Sequence, residues 1–410
     1  MIRWRLAKPL RERIRAGHPW IYDRALALAH APACAAGDVV EIADADGAVA
    51  LAFADPASPI RARVLAEPGT TLDAAWTRAR TESAAARRVR DPLLVGCTGR
   101  RLIHGEGDAC PGLVVDAYAG EPPGEQVPSG YAGESGSETT AVIVFDGPAA
   151  AAFWRPRLPD VLAGLERGGV AIEHAWLRMN QRTGGGERGG EAVRGDPPAE
   201  IAIAEDEARF GVDVRRGQKT GFFLDQRDNR RTIRRHAAGA QVLNVFAYTG
   251  GFSLHAALGG AAHVTSVDVA RPAIDALARN VALSGLALDA HELVAEDAFE
   301  FFARSAARGR RWDLVIVDPP SFAPSERARP AALTAYRRLV QHALEAVAPG
   351  GRFALASCSS HVTEADLLDI VAHLTPVARL RASAGAASDH PVLPAFPEGR
   401  YLKFLFFDLA

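Results

Sequence analysis

Hydrophobic and polar positions change their period three times along this 410-residue chain, and each change predicts a different kind of structure. Residues 1 to about 70 alternate apolar and polar side chains in short runs, DVVEIADADGAVALAFAD (38–55) and then IRARVL (60–65), with Asp46-Gly47 as a hairpin turn. That pattern predicts a small β-rich module. From Leu72 to Arg90 the spacing becomes helical and rich in Ala and Arg, predicting a linker helix. Residues 100 to 205 carry strands such as GLVVDAY (112–118) and TAVIVFD (140–146), with a helix near 150–166. Two Gly/Ser/Glu-rich stretches, Ala119 to Ser137 and Thr183 to Pro198, cannot bury apolar surface and read as mobile loops. From Ala208 onward strands and helices alternate, which predicts an α/β fold with a doubly wound, mainly parallel sheet. The expected partition is 1–72, 73–205 and 206–410.

Within the last region, Val242 to Asp268 reads VLNVFAYTGGFSLHAALGGAAHVTSVD. An apolar strand runs into a turn carrying Gly250 and Gly251, a helix follows, and a second strand ends on Asp268. Glycines let a ligand approach the backbone, and a carboxylate about 20 residues on can accept both hydroxyls of a ribose. This pattern suits an adenosine-containing cofactor. No GxxxxGK[ST] follows the strand, so it is not a P-loop, and the absence of a clean GxGxxG weakens a dinucleotide reading. A second motif, DLVIVDPPSF (313–322), ends an apolar strand in Asp318-Pro319-Pro320. Prolines lack an N–H and fix φ, so the chain leaves the sheet as a stiff loop whose carbonyls are suited to bind an amino group on a flat base.

Together with GQKTGFFLDQRDNR (217–230), NVFAYTGGFS (244–253), SCSS (357–360) and DHPVLPAFPEGRYLK (389–403), these lines make residues 210–410 resemble a class I S-adenosylmethionine (SAM) methyltransferase acting on nucleic acid. Their order and spacing resemble the large-subunit ribosomal RNA cytosine-C5 methyltransferases with an N-terminal PUA domain. The resemblance continues through HPW (18–20), GDVVEIADADG (37–47), SPIRARVL (58–65) and GEGDACPGLVVD (105–116). It implies a PUA-like RNA-binding domain, a central α+β domain and a Rossmann-like catalytic domain, with SAM as cofactor and large-subunit ribosomal RNA as partner.

Carbon 5 of cytosine is a poor nucleophile until something adds to C6 and turns the ring into an enamine. A thiolate is the natural addend. Cys358 follows the apolar strand Arg352–Ala356, so it should emerge at a strand's carboxyl end, where ligands sit in open α/β sheets. A thiol with a pKa of about 8.5 is mostly protonated at neutral pH, so the site must lower that value or take the proton on attack. Asp318 is assigned to hold the base. Many relatives of this kind carry a second cysteine directly after the proline of this motif; here Pro320 and Ser321 stand instead, and a bound water is the default base for the C5 proton. The resemblance implies that Gly250 and Gly251 pass the methionine portion of SAM, Asp268 takes the ribose and Asp297 the adenine amino group, with Phe246, Tyr248, Thr249 and Asp318 also binding the cofactor. The alternative for Asp297 is a helix N-cap. Thr220, Asp225, Gln226 and Arg227 belong to a loop that closes over SAM or the RNA backbone. Two other readings stay open: methyl transfer to a guanine nitrogen on the same fold, which needs no covalent thiol, and a non-catalytic RNA-binding assembly factor.

The net charge of −2 does not advertise a nucleic-acid binder, but its distribution does. Arg3, Arg5, Lys8, Arg11, Arg13 and Arg15 crowd the N-terminus, and Arg215, Arg216, Lys219, Arg227, Arg230, Arg231, Arg234 and Arg235 adjoin the cofactor motif. Arg11, Arg13, His18, Trp20, Lys219 and Arg230 are the expected RNA contacts. Among 47 basic residues only Lys8, Lys219 and Lys403 are lysines, which suggests that those positions need a compact ammonium. The cysteines Cys34, Cys97, Cys110 and Cys358 lack CxxC spacing or a paired His, so neither a metal site nor a disulfide framework is expected. No membrane span or signal-like apolar run stands out, and a cytoplasmic protein is expected, with a homodimer as the candidate assembly.

Overall fold

The computed structural model describes residues 1–27, 32–120, 138–179, 189–323 and 325–409. By their contacts these fall into two compact units: Met1–Ile203 with Val212–Leu224 and Ser388–Gly399, and Ala204–Gly211 with Asp225–Ala387 and Arg400–Ala410. The motif segments 217–224 and 389–399, expected in the catalytic domain, therefore group with the first unit.

The first unit holds two five-stranded sheets. One has the order Ile2–Arg5, Val39–Asp44, Gly47–Ala54, Ile60–Ala66, Trp20–Tyr22. Asp44 pairs with Gly47, so the tight turn is Ala45-Asp46, one residue earlier than expected. Gly47 opens the return strand at φ +113°, a conformation that suits glycine. The other sheet has the order Gly190–Arg194, His174–Arg178, Thr139–Phe145, Leu113–Ala119, Gly99–His104. Its first strand corrects the expectation of a loop throughout Thr183–Pro198, because Gly190–Arg194 pairs antiparallel with His174–Arg178. Residues 121–137 and 180–188, which hold most of the remaining expected loops, lie outside the described residues.

Helix Ala74–Val89 starts on Asp73, whose side chain accepts the N–H of Trp76. It is not a bare linker. Thr81 and Ala85 are buried where a Cβ on Gly164 or Gly168 would collide with them, so the two glycines let helix Leu158–Arg167 approach closely.

The second unit is built on one seven-stranded sheet with the order His291–Ala295, His263–Asp268, Gln241–Val245, Trp312–Val317, Val347–Ser357, Lys403–Asp408, Arg379–Ala384. The first five strands are parallel, and Lys403–Asp408 runs antiparallel to both its neighbours. Successive side chains alternate between two apolar layers. Leu243, Val245, Val315 and Val317 face one, and Val242, Leu314, Ile316 and Phe404 face the other. Burial on both faces explains why these strands read as continuous apolar runs. Strand order reverses between Gln241–Val245 and Trp312–Val317, the position where open sheets leave a crevice at their carboxyl ends.

Candidate active site

The carboxyl end of Gln241–Val245 leads into the loop Phe246–Gly250, where Phe246 and Tyr248 are held at φ +62° and +49°. Left-handed backbone at non-glycine residues costs about 1–3 kcal/mol each, and two so close together mark a constrained loop. The loop is tied from both sides. Tyr248 N–H donates to one carboxylate oxygen of Asp268 at 2.9 Å, and Asn280 Nδ2 donates to the carbonyl of Thr249 at 2.9 Å. The other Asp268 oxygen accepts the N–H of Ala270 at 2.9 Å.

Both glycines also meet protein neighbours. Gly250 sits at φ +88° and caps helix Gly251–Leu258, and a Cβ there would lie 2.6 Å from Leu277 Cγ. At Gly251 it would lie 3.0 Å from Arg230 Cδ. At Gly250 the left-handed backbone and the packing of Leu277 exclude a side chain, whereas at Gly251 the flexible Arg230 side chain lies at tight contact.

Asp268 is half-buried, and the next residue, Val269, is 73% exposed. A carboxylate beside an exposed apolar side chain at a strand's carboxyl edge suits a ribose and the flat face of a base; the sequence singled out Asp268 and gave no sign that Val269 is exposed. Asp297 follows the adjacent strand, is exposed, and caps helix Ala298–Ala307 by accepting the N–H groups of Phe299 and Glu300.

Directly after Trp312–Val317, Asp318 donates its backbone N–H to Val245 O at 3.5 Å, joining the two loops at the reversal point. Its carboxylate accepts from Gln226 Nε2 at 2.9 Å, and the amide of Gln226 is oriented by Asn229 Nδ2 at 2.6 Å from Gln226 Oε1. Gln226 and Asn229 are both buried. Cys358, half-buried, comes directly after the neighbouring strand Val347–Ser357. The fully buried Ser359 connects the loops, because its hydroxyl accepts the N–H of Phe322 and meets the hydroxyls of Ser321 (3.2 Å) and Tyr336 (3.3 Å). Burial raises the pKa of the Tyr336 phenol. Lys403 Nζ donates to Ser359 O at 2.6 Å and Tyr401 O at 2.9 Å. Asn229 and Ser359 lie in the motif lines 217–230 and 357–360 but were given no role there, Tyr336 carried no signal, and Lys403 carried one, the rarity of lysine.

Other expected site residues are engaged elsewhere. Thr220 is buried in the first unit, bonded to Asp116 and to the Tyr118 hydroxyl, which corrects its assignment to the cofactor. Asp225 is buried and accepts from Tyr401 Oη at 2.6 Å. Arg227 and Arg230 are not surface cations. They lie buried around Glu205, with Arg230 paired to it through two nitrogens and Arg227 Nε at 3.7 Å. His255 Nε2 is 2.9 Å from the same carboxylate. Burial alone would raise the Glu205 pKa, but the charge of Arg230 and the bonds from His255 and Arg230 hold it below the ordinary range.

The expected RNA contact by Arg230 is therefore corrected, and so is that by His18, which is 3% exposed and bonded to Trp20 O and Glu398. Trp20 donates to Glu106 at 2.8 Å and packs edge-on to Phe396. Arg11 pairs with Asp44 and also donates to the carbonyls of Gly47 and Ala48. Arg13 and Lys219 are exposed, although Arg13 Nη2 is 3.4 Å from Glu398. Lys219 stands at φ +52°, its carbonyl held by Arg178 at 2.8 Å.

Residues 172–397 match the family described as S-adenosylmethionine-dependent methyltransferase, and residues 5–67 match the PUA-like domain. The chain belongs to this methyltransferase family. Over its whole length it is 36% identical to the ribosomal RNA large subunit methyltransferase of Deinococcus radiodurans, covering 97% of that protein. It is 32% identical to ribosomal RNA large subunit methyltransferase I of Aeromonas salmonicida, over 95% of this chain and 94% of the relative. A methyltransferase solved with SAH bound shares the fold over 100% of both chains, at 20% identity and a TM-score of 0.83. So does a SAM-dependent methyltransferase from Streptococcus mutans, at 20% identity and a TM-score of 0.81. The cofactor of this methyltransferase is SAM, which supplies an electrophilic methyl group carried on a sulfonium.

Proposed function

We propose that this methyltransferase forms 5-methylcytosine in large-subunit ribosomal RNA through a covalent adduct between Cys358 and cytosine C6. The observation that carries the reading is the position of Asp318 and Cys358, directly after two neighbouring parallel strands and beside the loop that follows Gln241–Val245. A base entering the crevice there would meet a carboxylate oriented by Gln226 and a thiol on the next strand. Cys358 adds to C6, and Asp318 holds the exocyclic amino group or N3. The names of the relatives support ribosomal RNA as the substrate.

In the cofactor half, Asp268 takes the ribose hydroxyls with lone pairs beyond those given to Tyr248 and Ala270, and Val269 covers a face of the adenine. Phe246, Tyr248, Thr249 and Gly250 line the methionine portion with backbone. Asp297 has one oxygen in the cap and offers the other to the adenine amino group.

RNA carrying 5-fluorocytosine at the target tests the mechanism, because fluorine at C5 cannot leave as a proton and the adduct cannot eliminate. A gel-stable protein–RNA complex is expected only with SAM present, and Cys358→Ser is expected to abolish it. Turnover retained by Cys358→Ser, or an adduct on another cysteine, would favour methylation of a guanine nitrogen.

A further inference from the structure

We infer that the Lys403 ammonium is the counter-ion of the Cys358 thiolate, a positioning residue that keeps the nucleophile ionised before it meets cytosine C6. The inference rests on the covalent mechanism proposed above. Lys403 lies directly opposite Ser357 in the antiparallel pairing of Val347–Ser357 with Lys403–Asp408, so it faces the strand end from which Cys358 emerges. Its side chain is buried, with 7% exposure, and Nζ is anchored on the carbonyl oxygen of Ser359, the residue after Cys358. An ammonium has three N–H groups, and two are given to the carbonyls of Ser359 and Tyr401.

A charge in such a place needs an anion. Burial lowers the Lys403 pKa, and even with Cys358, the larger, and Asp366 pulling the other way it stands at about 8. The other titratable groups acting nearby are Asp318 and Tyr336, the phenol of which feels the charges of both Cys358 and Asp318. An arginine here would spread its charge over a planar fork where the anchors are two carbonyls, which accounts for a lysine in a chain that otherwise uses arginine.

The pair serves both ends of the reaction. On addition the S–C6 bond forms, the C5=C6 π bond opens, and its electron pair moves to C5; as C5 bonds to the methyl carbon, that carbon's bond to the sulfonium sulfur breaks and the bonding pair stays on sulfur, leaving a neutral thioether. On release C5 gives its proton to water, the pair restores C5=C6, and the S–C6 bond breaks to return the thiolate. The ammonium keeps its charge throughout, favouring the thiolate as nucleophile and again as leaving group.

Lys403→Gln removes the charge and keeps an N–H donor, on a side chain one atom shorter. Alkylation of Cys358 by iodoacetamide, read by peptide mass spectrometry against pH on the full-length protein, is expected to be on the order of tenfold slower at pH 7 in the variant, with its inflection about one unit higher. Superimposable profiles in a folded variant would overturn the pairing.

The reciprocal measurement needs no change at Lys403. With three lysines in the chain, isotope-labelled lysine gives three resolvable NMR titrations, and Cys358→Ser is expected to move that of Lys403 to lower pH. An unmoved titration would also overturn it. Both readouts use the free protein, whereas the 5-fluorocytosine adduct needs RNA. An adduct that forms while neither titration moves refutes the ion pair alone, and an adduct that never forms refutes the mechanism beneath it.

Discussion

Asp268 shows how much one side chain does in this site. Its two oxygens tie the strained loop at Tyr248 and the start of the next helix at Ala270, and the proposed ribose contact uses the lone pairs that remain. Asp268→Ala is expected to weaken SAM binding by about 1.5–3 kcal/mol for each charged hydrogen bond lost. Calorimetry reads this directly, and unchanged affinity would remove Asp268 from the cofactor site. Thermal melting of the same variant reports the separate loss of the loop ties. Asp268 was legible in the sequence because strand, glycine turn and acid keep a fixed spacing along one βαβ unit. Val269 was not, since an apolar residue after a strand looks like core until its exposure is known.

At the scale of elements, helix Arg227–Arg235 departs most from its sequence reading. Its arginines read as a patch for phosphate, but the hairpin turn Glu205-Asp206-Glu207 neutralises them in order: Glu205 takes Arg230, Asp206 takes Arg231 and Glu207 takes Arg234. Breaking a buried pair from one side leaves an unpaired charge, so Glu205→Gln is expected to cost about 3–5 kcal/mol in urea unfolding at pH 7. The folded pKa of Glu205 lies below its unfolded value, so its stabilisation is present above the unfolded value of about 4.3 and is lost as pH falls through the folded one. The gap between wild type and variant should therefore narrow on acidification below about pH 4. A gap independent of pH would show that shape, not charge, holds this element.

For the molecule as a whole, exposed cations are the ones available to RNA. Arg5, Lys8, Arg15 and Lys219 are exposed, unlike Arg227 and Arg230. Replacing those four with alanine is expected to lower the log–log salt slope of RNA binding by up to about 3, while leaving unfolding by urea nearly unchanged. An unaltered slope would show that these charges only solvate the surface. Among the described residues no helix is long and apolar enough to cross a membrane.

The sequence by itself determined the alternation of strands and helices from Ala208 onward, the loop that ends in Gly250 and the one that begins at Asp318, and the place of Cys358 after a strand. These depend on periodicity and turn chemistry, which neighbours along the chain carry. Tertiary structure alone decided which arginines are available, that Leu277 leaves no room for a side chain at Gly250, and that the Lys403 ammonium is buried. Each depends on a distant partner: Glu205 stands 25 residues before Arg230, and Lys403 reaches the carbonyl of Ser359 across 44 residues. A side chain's charge state and exposure follow from what packs around it, and no local pattern encodes that.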